Sequence, residues 1–276
     1  MSRLRVNKEE EELHGNARDL MRANKPEELC RLLSEDKAKE LIRKSGGKVL
    51  SYCLNDAIGH NHVECIQVLL KAGANPDIVG ECHPINRTIK YGGHENILTL
   101  LLEYGADPNL KSFDGYYHSL LCLAAHFAVL GCFRTLLLYG ADPDYNCPDR
   151  DFLQKFTNPQ SVLGVCLRNG YEDQFVKLLI DFGANMFLHD IQESLLSAEN
   201  GTKKLLERER AHPRSLMSQC RLMIRRLLRQ NGKICVTDQL GIPNELQKYL
   251  RYHEEMNGPE KLPRHEEEYR RFLSCF

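Results

Sequence analysis

The sequence predicts an all-α fold: a solenoid of stacked helix-turn-helix repeats with short hairpin loops, followed by a small helical module. Three observations carry this. A Gly-Ala-Asp/Asn block recurs four times after a leucine-rich run, with its glycine at Gly73, Gly105, Gly140 and Gly183. A second apolar run precedes each block, most clearly SLLCLAA from Ser119 to Ala125. Residues 215–250 then abandon the repeat for an amphipathic helix pattern and a second, proline-started one.

In chain order, residues 1–12 are charged and read as a frayed lead. Leu13, Ala17, Leu20 and Met21 start a helical pattern, and Pro26 opens a second one, with the joint at Asn24-Lys25. Residues 36–44 form a further short helix, ended by Gly46-Gly47. Residues 1–47 therefore read as an N-terminal helical cap or a degenerate first repeat.

Four blocks follow in register: VLLKAGANPDI, LLLEYGADPNL, LLLYGADPDY and LLIDFGANMFL. Their glycines are 32, 35 and 43 residues apart. Glycine just past a helix takes the left-handed conformation that ends it. Pro76, Pro108 and Pro143 then forbid continuation. A period near 33 with this block resembles ankyrin repeats. SLLCLAA stands where that family has TPLHLAA, and SVLGVCL from Ser161 to Leu167 does so more loosely. Residues 53–57 and 83–85 are weaker versions. The resemblance covers residues 48–190, about four repeats. The 43-residue spacing places an insertion at residues 146–160, either a functional loop or tolerated length variation. Residues 191–213 read as a capping linker, and residues 254–276 as a charged tail.

In residues 215–250, Leu216, Cys220, Met223, Ile224, Leu227 and Leu228 fall on one face of a 3.6-residue period. Arg221, Arg225, Arg226 and Arg229 fall mostly off it and read as a solvated face. Pro243 opens the second helix, where its missing N–H is harmless, and Leu246, Tyr249 and Leu250 give that helix an apolar face. Residues 214–253 resemble a SOCS box. The family's elongin-binding pattern of small residue, Leu, Cys and aliphatic is filled by Ser215, Leu216, Cys220 and Ile224. Its cullin-recognising Leu-Pro-aliphatic-Pro is here Leu240, Gly241, Ile242 and Pro243, with the first proline missing. By pattern alone the stretch also fits a cap of the repeat stack.

The combination resembles the ankyrin repeat and SOCS box proteins. That resemblance implies a substrate-recognition subunit of an elongin–cullin–RING ubiquitin ligase, itself without catalytic activity. Elongin C would take Leu216, Cys220 and Ile224, and the cullin would face Leu240, Ile242 and Pro243. Elongin B, elongin C, cullin-5 and its RING subunit are the implied partners. A protein target, unidentified, would bind the repeats, for which Phe113, Tyr116 and Tyr117 are candidate contacts. A scaffold that holds a partner without recruiting a ligase is the alternative, and the proline missing at Gly241 leaves room for it.

Composition bounds the rest. A net charge of -1 and a pI near 6.8 give no electrostatic footprint for nucleic acid or an anionic membrane. The polar N-terminus predicts no secretory leader, and no apolar run is long enough to span a membrane. Eleven scattered cysteines, none in a Cys-x-x-Cys, read as free thiols, several of them in apolar helix patterns (Cys30, Cys65, Cys122, Cys132, Cys166, Cys220). An intracellular protein is expected, in the cytoplasm or, as the alternative, the nucleus. No phosphate loop, dinucleotide fingerprint, nucleophile elbow or His-Glu-x-x-His is present. His60, His62, Cys65 and Cys82 lack a standard zinc spacing, so no metal or other cofactor is expected. Cys220 reads as a packed thiol without an activating base, and Asp107, Asp142 and Asp144 as turn formers.

Overall fold

Each repeat turns twice, and the chemistry of the second turn is the same every time. In the leucine-rich helices the N–H of the residue after the glycine reaches back five residues. Ala74 donates to Leu69 O, Ala106 to Leu101 O, Ala141 to Leu136 O and Ala184 to Leu179 O, all at 2.9–3.0 Å. The four glycines have φ between 90° and 96°, which a side chain would strain. Each following alanine is buried, so Gly-Ala supplies both the backbone reversal and the small residue that packs beneath it.

The computed structural model describes residues 2–45, 47–77, 82–110, 119–144, 161–195, 200–212, 214–230 and 240–252. These are helical, with no strand among the described residues. The chain divides into two units, residues 1–214 and 215–276.

In the first unit the helices are α1 (Ser2–Arg22), α2 (Pro26–Ser34), α3 (Asp36–Ser45), α4 (Lys48–Gly59), α5 (Val63–Lys71), α6 (Pro84–Lys90), α7 (Glu95–Glu103), α8 (Leu120–His126), α9 (Leu130–Leu138), α10 (Val162–Arg168), α11 (Asp173–Asp181), α12 (His189–Ser194) and α13 (Asn200–Ala211). They stack in two rows. One row runs α1, α4, α6, α8, α10, α12, each packed on the next; the other runs α2, α5, α7, α9, α11, α13. Between the rows lies one core, with Leu54, Ile66, Leu69, Ile85, Leu101, Leu123, Phe133, Leu163 and Leu179 fully or almost fully buried. Phe133 meets Phe175 edge to face, with ring centroids 5.0 Å apart, and so locks α9 to α11.

One region departs from the reading of the sequence. Residues 2–12 are not a frayed lead but part of α1; their Glu and Lys are good helix formers, and α1 buries Leu13, Ala17 and Met21. The stretch after the fourth block, read as a capping linker, supplies α12 and α13, which pack on α10 and α11 respectively. Polar contacts seat that pair. Asp190 accepts from Ser161 N at 2.6 Å and from Ser161 Oγ at 2.8 Å, and Thr202 Oγ1 donates to Asp173.

α3 has no counterpart in the other repeats. It fills the place of a hairpin loop and is followed by Gly47, whose N–H donates to Ile42 O. Gly47 has φ 80°, and a methyl group there would run into the Gly73 carbonyl oxygen. The loops themselves are held by side-chain amides and carboxylates. Asn75, Asp107, Asp142 and Asn185 each accept from the backbone N–H two residues on, at 2.9–3.1 Å. The insertion at 146–160 and the aromatic residues 113, 116 and 117 lie outside the described residues.

In the second unit α14 (Leu216–Gln230) and α15 (Asn244–Leu250) pack on each other. Ser215 Oγ accepts from Ser218 N at 3.2 Å, which caps α14. Pro243 takes the position just before α15 rather than its first turn.

Candidate functional site, an exposed apolar stripe on the C-terminal helix pair

α14 is amphipathic in a way that inverts the usual division. Leu216 is 73% exposed, Met223 58% and Leu227 51%, and Cys220 is also exposed. At positions i, i+4, i+7 and i+11 these four form one continuous stripe. Ile224 and Leu228 flank it and are half-buried.

The buried side of α14 is cationic. Arg221 and Arg225 are 4% and 6% exposed, which overturns the reading of all four arginines as a solvated face; Arg226 alone of the four is exposed. The Arg221 guanidinium lies 3.8 Å from the Tyr252 ring centroid and 4.5 Å from that of Tyr249. Arg225 lies 5.4 Å from the Tyr252 ring and donates to Leu250 O at 2.8 Å. That carbonyl sits at the C-terminal end of α15, where the helix dipole favours a cation. Planar guanidinium stacked on aromatic rings can be buried where an ammonium would be desolvated at greater loss. The module's inner packing is thus made by two arginines and two tyrosines, on the side of α14 opposite the exposed apolar stripe. Tyr249 and Leu250, read as an apolar face, belong to this packing: Leu250 is buried and Tyr249 half-buried.

The segment before α15 is fixed by one amide. Gln247 Nε2 donates to Leu240 O at 3.2 Å and to Ile242 O at 3.1 Å. Leu240 and Ile242 are half-buried, and Pro243 is exposed. A Cβ at Gly241 would meet nothing within 4 Å. Leu240, Ile242 and Pro243 thus form a short presented segment at the start of α15.

The reading of Cys220 as a packed thiol is corrected by its exposure, and Cys30 is exposed as well. The buried thiols behave otherwise. Burial pushes Cys53 and Cys132 up to about 12 and Cys122 up to about 11, and raises Cys166 well above 9.0. They stay neutral at physiological pH and pack as small hydrophobes. His62 Nδ1 lies 2.9 Å from Met21 O, and Cys65 Sγ donates to Asn24 Oδ1 at 3.7 Å. Those two residues tie α5 to the end of α1. No group of side chains able to hold a metal is found among the described residues. None of their helices is long and apolar enough to cross a membrane.

An exposed apolar stripe on a capped helix is suited to docking into a groove on a partner. The SOCS box family matches residues 212–251, and the ankyrin repeat family matches residues 51–81. This chain combines ankyrin repeats with a SOCS box. It is similar to Ankyrin repeat and SOCS box protein 12 of Mus musculus, 44% identical over 163 residues that cover 56% of this chain and 53% of the relative. The Homo sapiens protein of the same name is 46% identical over 132 residues, covering 48% of this chain and 43% of its own. Ankyrin repeat and SOCS box protein 1 of Mus musculus is 36% identical over 141 residues, covering 48% and 41%. The chain thus matches about half the length of these curated relatives. A crystal structure of the human ASB11 ankyrin repeat domain is 22% identical, with a TM-score of 0.46, over 69% of this chain and 84% of that one. α14 and α15 both lie inside the SOCS-box match, and the exposed stripe is the SOCS box's own surface.

Proposed function

We propose that this chain is the substrate-recognition adaptor of an elongin–cullin–RING ubiquitin ligase, with cullin-5 as the cullin. The observation that carries the proposal is the stripe of Leu216, Cys220, Met223 and Leu227, exposed on a helix whose other side is already packed. Leu216 and Cys220 enter a pocket of elongin C, Ile224 continues the contact, and elongin B joins through elongin C. Leu240, Ile242 and Pro243 meet the cullin, which carries the RING subunit. The repeats hold the target protein, with Phe113, Tyr116 and Tyr117 among the residues proposed to touch it. The chain forms no covalent bond. It holds a target near the charged conjugating enzyme, which replaces a diffusional encounter by a local one. Ubiquitylation of this kind places it inside the cell, where buried free thiols are at home.

The test is co-expression with elongin B and elongin C. Wild type should elute from size-exclusion chromatography with both elongins, and Leu216→Ala/Cys220→Ala should not. If wild type elutes alone while still folded, the adaptor reading is wrong. One observation favours a second reading: Gly241 stands where the family has proline, so an elongin-bound scaffold that holds the cullin weakly is the alternative. Co-purification of cullin-5 with wild type and with Gly241→Pro separates the two. An adaptor retains cullin in both, whereas a scaffold gains it only in the variant.

A further inference from the structure

The first-row helices α1, α4 and α6 share a face on which positive charge is left over. On α1, His14, Arg18 and Arg22 fall at i, i+4 and i+8, beside the buried stripe of Leu13, Ala17 and Met21. They meet α4 through two contacts. The His14 and Tyr52 rings stand edge to face at 6.0 Å, and Arg22 lies 3.6 Å from the Asp56 carboxylate. One turn on from Asp56, Gly59 is pressed by the Arg87 guanidinium of α6; a Cβ there would collide with it. Arg87 in turn lies 5.4 Å from the ring of Tyr91.

Two tyrosines therefore bracket three arginines. Tyr52 is 56% exposed and Tyr91 66%. Arg18 and Arg87 make no ion pair among the described residues, and the Arg22–Asp56 pair is itself open to solvent. Asp56 is the one carboxylate that forms an ion pair with any of the three arginines among the described residues. The chain's net charge is -1, so this is a local excess and not a reflection of overall basicity. Burial, and then the charge of Arg18, lower the His14 pKa, which adds no further cation but leaves a neutral ring against Tyr52.

We propose that this Arg18–Arg22–Arg87 face, with Tyr52 and Tyr91, docks an acidic segment of the target protein. The inference rests on the reading of the repeats as the target-binding half, and it names the chemistry of what they take. Guanidinium forks match carboxylates in a bidentate geometry, and exposed tyrosines give the rigid amphipathic contact that interfaces favour. Arg87 on Tyr91 is already arranged for both roles, because its stacking and the Gly59 contact limit its rotamers before anything binds.

The test uses the full chain and a fluorescent probe peptide of alternating Asp, Glu and Leu residues, followed by anisotropy. Wild type should bind it, more weakly as salt is raised. Arg18→Gln/Arg22→Gln/Arg87→Gln should weaken binding about tenfold or more, and Tyr91→Ala should weaken it several-fold. Lys37→Gln/Lys39→Gln/Lys71→Gln, which removes equal charge from exposed positions on α3 and α5, should leave it unchanged. No binding by wild type, or an equal loss in both triple variants, overturns the proposal. So does a single-stranded RNA homopolymer that displaces the peptide and binds more tightly, since the face would then serve nucleic acid. Elongin association measured on the arginine variant keeps the two readings apart. It should persist there, and its absence from wild type would sink the ligase reading while leaving the peptide result standing.

Discussion

The Asn109 side-chain oxygen accepts a hydrogen bond from the Asp142 backbone N–H at 2.7 Å, and its amide nitrogen donates to Gly140 O at 3.2 Å. One side chain thus ties a loop to its successor in both directions. Asp77 does the same for the preceding step by accepting from Asp107 N at 3.1 Å, and Asp144 for the following one by accepting from Asn185 N at 2.6 Å. The last step spans the insertion at 146–160, so the extra residues leave the loop spacing intact.

This ladder predicts what Asn109 contributes. Asn109→Ala removes both bonds and should destabilise the first unit by about 1–3 kcal/mol, the range for partly buried hydrogen bonds left unmade. Asn109→Asp keeps the acceptor for Asp142 N but loses the donor to Gly140 and sets a carboxylate beside Asp142, so it should fall between wild type and alanine. Urea unfolding followed by circular dichroism measures both; equal stability of all three proteins would show the ladder to be incidental.

Asp77 should make the same array sensitive to acid in an unusual direction. Burial first, and then the neighbouring Asp107 charge, raise its pKa above 3.8, against the lowering effect of the Asp107 N–H and His83. A carboxyl with a raised folded pKa binds its proton more tightly in the native state. Its contribution is therefore most favourable below the unfolded value and is lost as pH rises through the folded one. Asp77→Asn keeps an oxygen for Asp107 N and removes the charge. It should stabilise the protein at pH 7 by no more than about 1 kcal/mol and give no gain near pH 3. Thermal melts at the two pH values check this, and a gain only at low pH would refute it.

The array is legible in the sequence because its signal is a backbone requirement. Only glycine accepts the φ of Gly73, Gly105, Gly140 and Gly183 without strain, and each buried alanine after it is a packing demand, so the block repeats visibly. α12 and α13 carry no such block; beside the buried Ile191 and Leu206 they are held through Asp190 and Thr202, polar residues that read as surface. In the C-terminal unit the positions of Leu216, Cys220 and Ile224 follow from helical spacing. The exposure of Leu216 and Cys220 does not, since an apolar face reads the same whether it fills a core or waits for a partner. Burial of Arg221 and Arg225 is hidden for the opposite reason: arginine reads as solvated until the tyrosines that cover it, distant in sequence, are placed on it.

Exposure of Cys220 gives a chemical test of the docking face. With maleimide, the native protein should label at Cys30 and Cys220 far faster than at Cys53, Cys122, Cys132 and Cys166, whose burial keeps them protonated. Elongin B and elongin C, added first, should protect Cys220 and leave Cys30 reactive. Prior labelling of Cys220 should in turn block elongin binding. Peptide mass spectrometry reads both effects, and continued labelling of Cys220 in a stable elongin complex would remove it from the interface.

The arginine–tyrosine packing should decide whether the two halves of the SOCS box act together. Tyr252 is 4% exposed and holds φ at 59° just after α15, and it touches both Arg221 and Arg225. Tyr252→Ala removes two cation–π contacts and a buried ring, together worth about 2–4 kcal/mol. The loss should fall on α15, since α14 keeps its Ser215 cap and its own hydrogen bonds. Hydrogen exchange should then speed up in residues 244–250 and change little in residues 216–230. If the docking stripe and the Leu240–Pro243 segment serve elongin and cullin separately, the variant retains elongin and loses cullin. Tyr252→Phe, which keeps the ring that faces Arg221, should restore cullin binding; failure of that rescue would mean that the hydroxyl, and not the stacked ring, holds the helices in place.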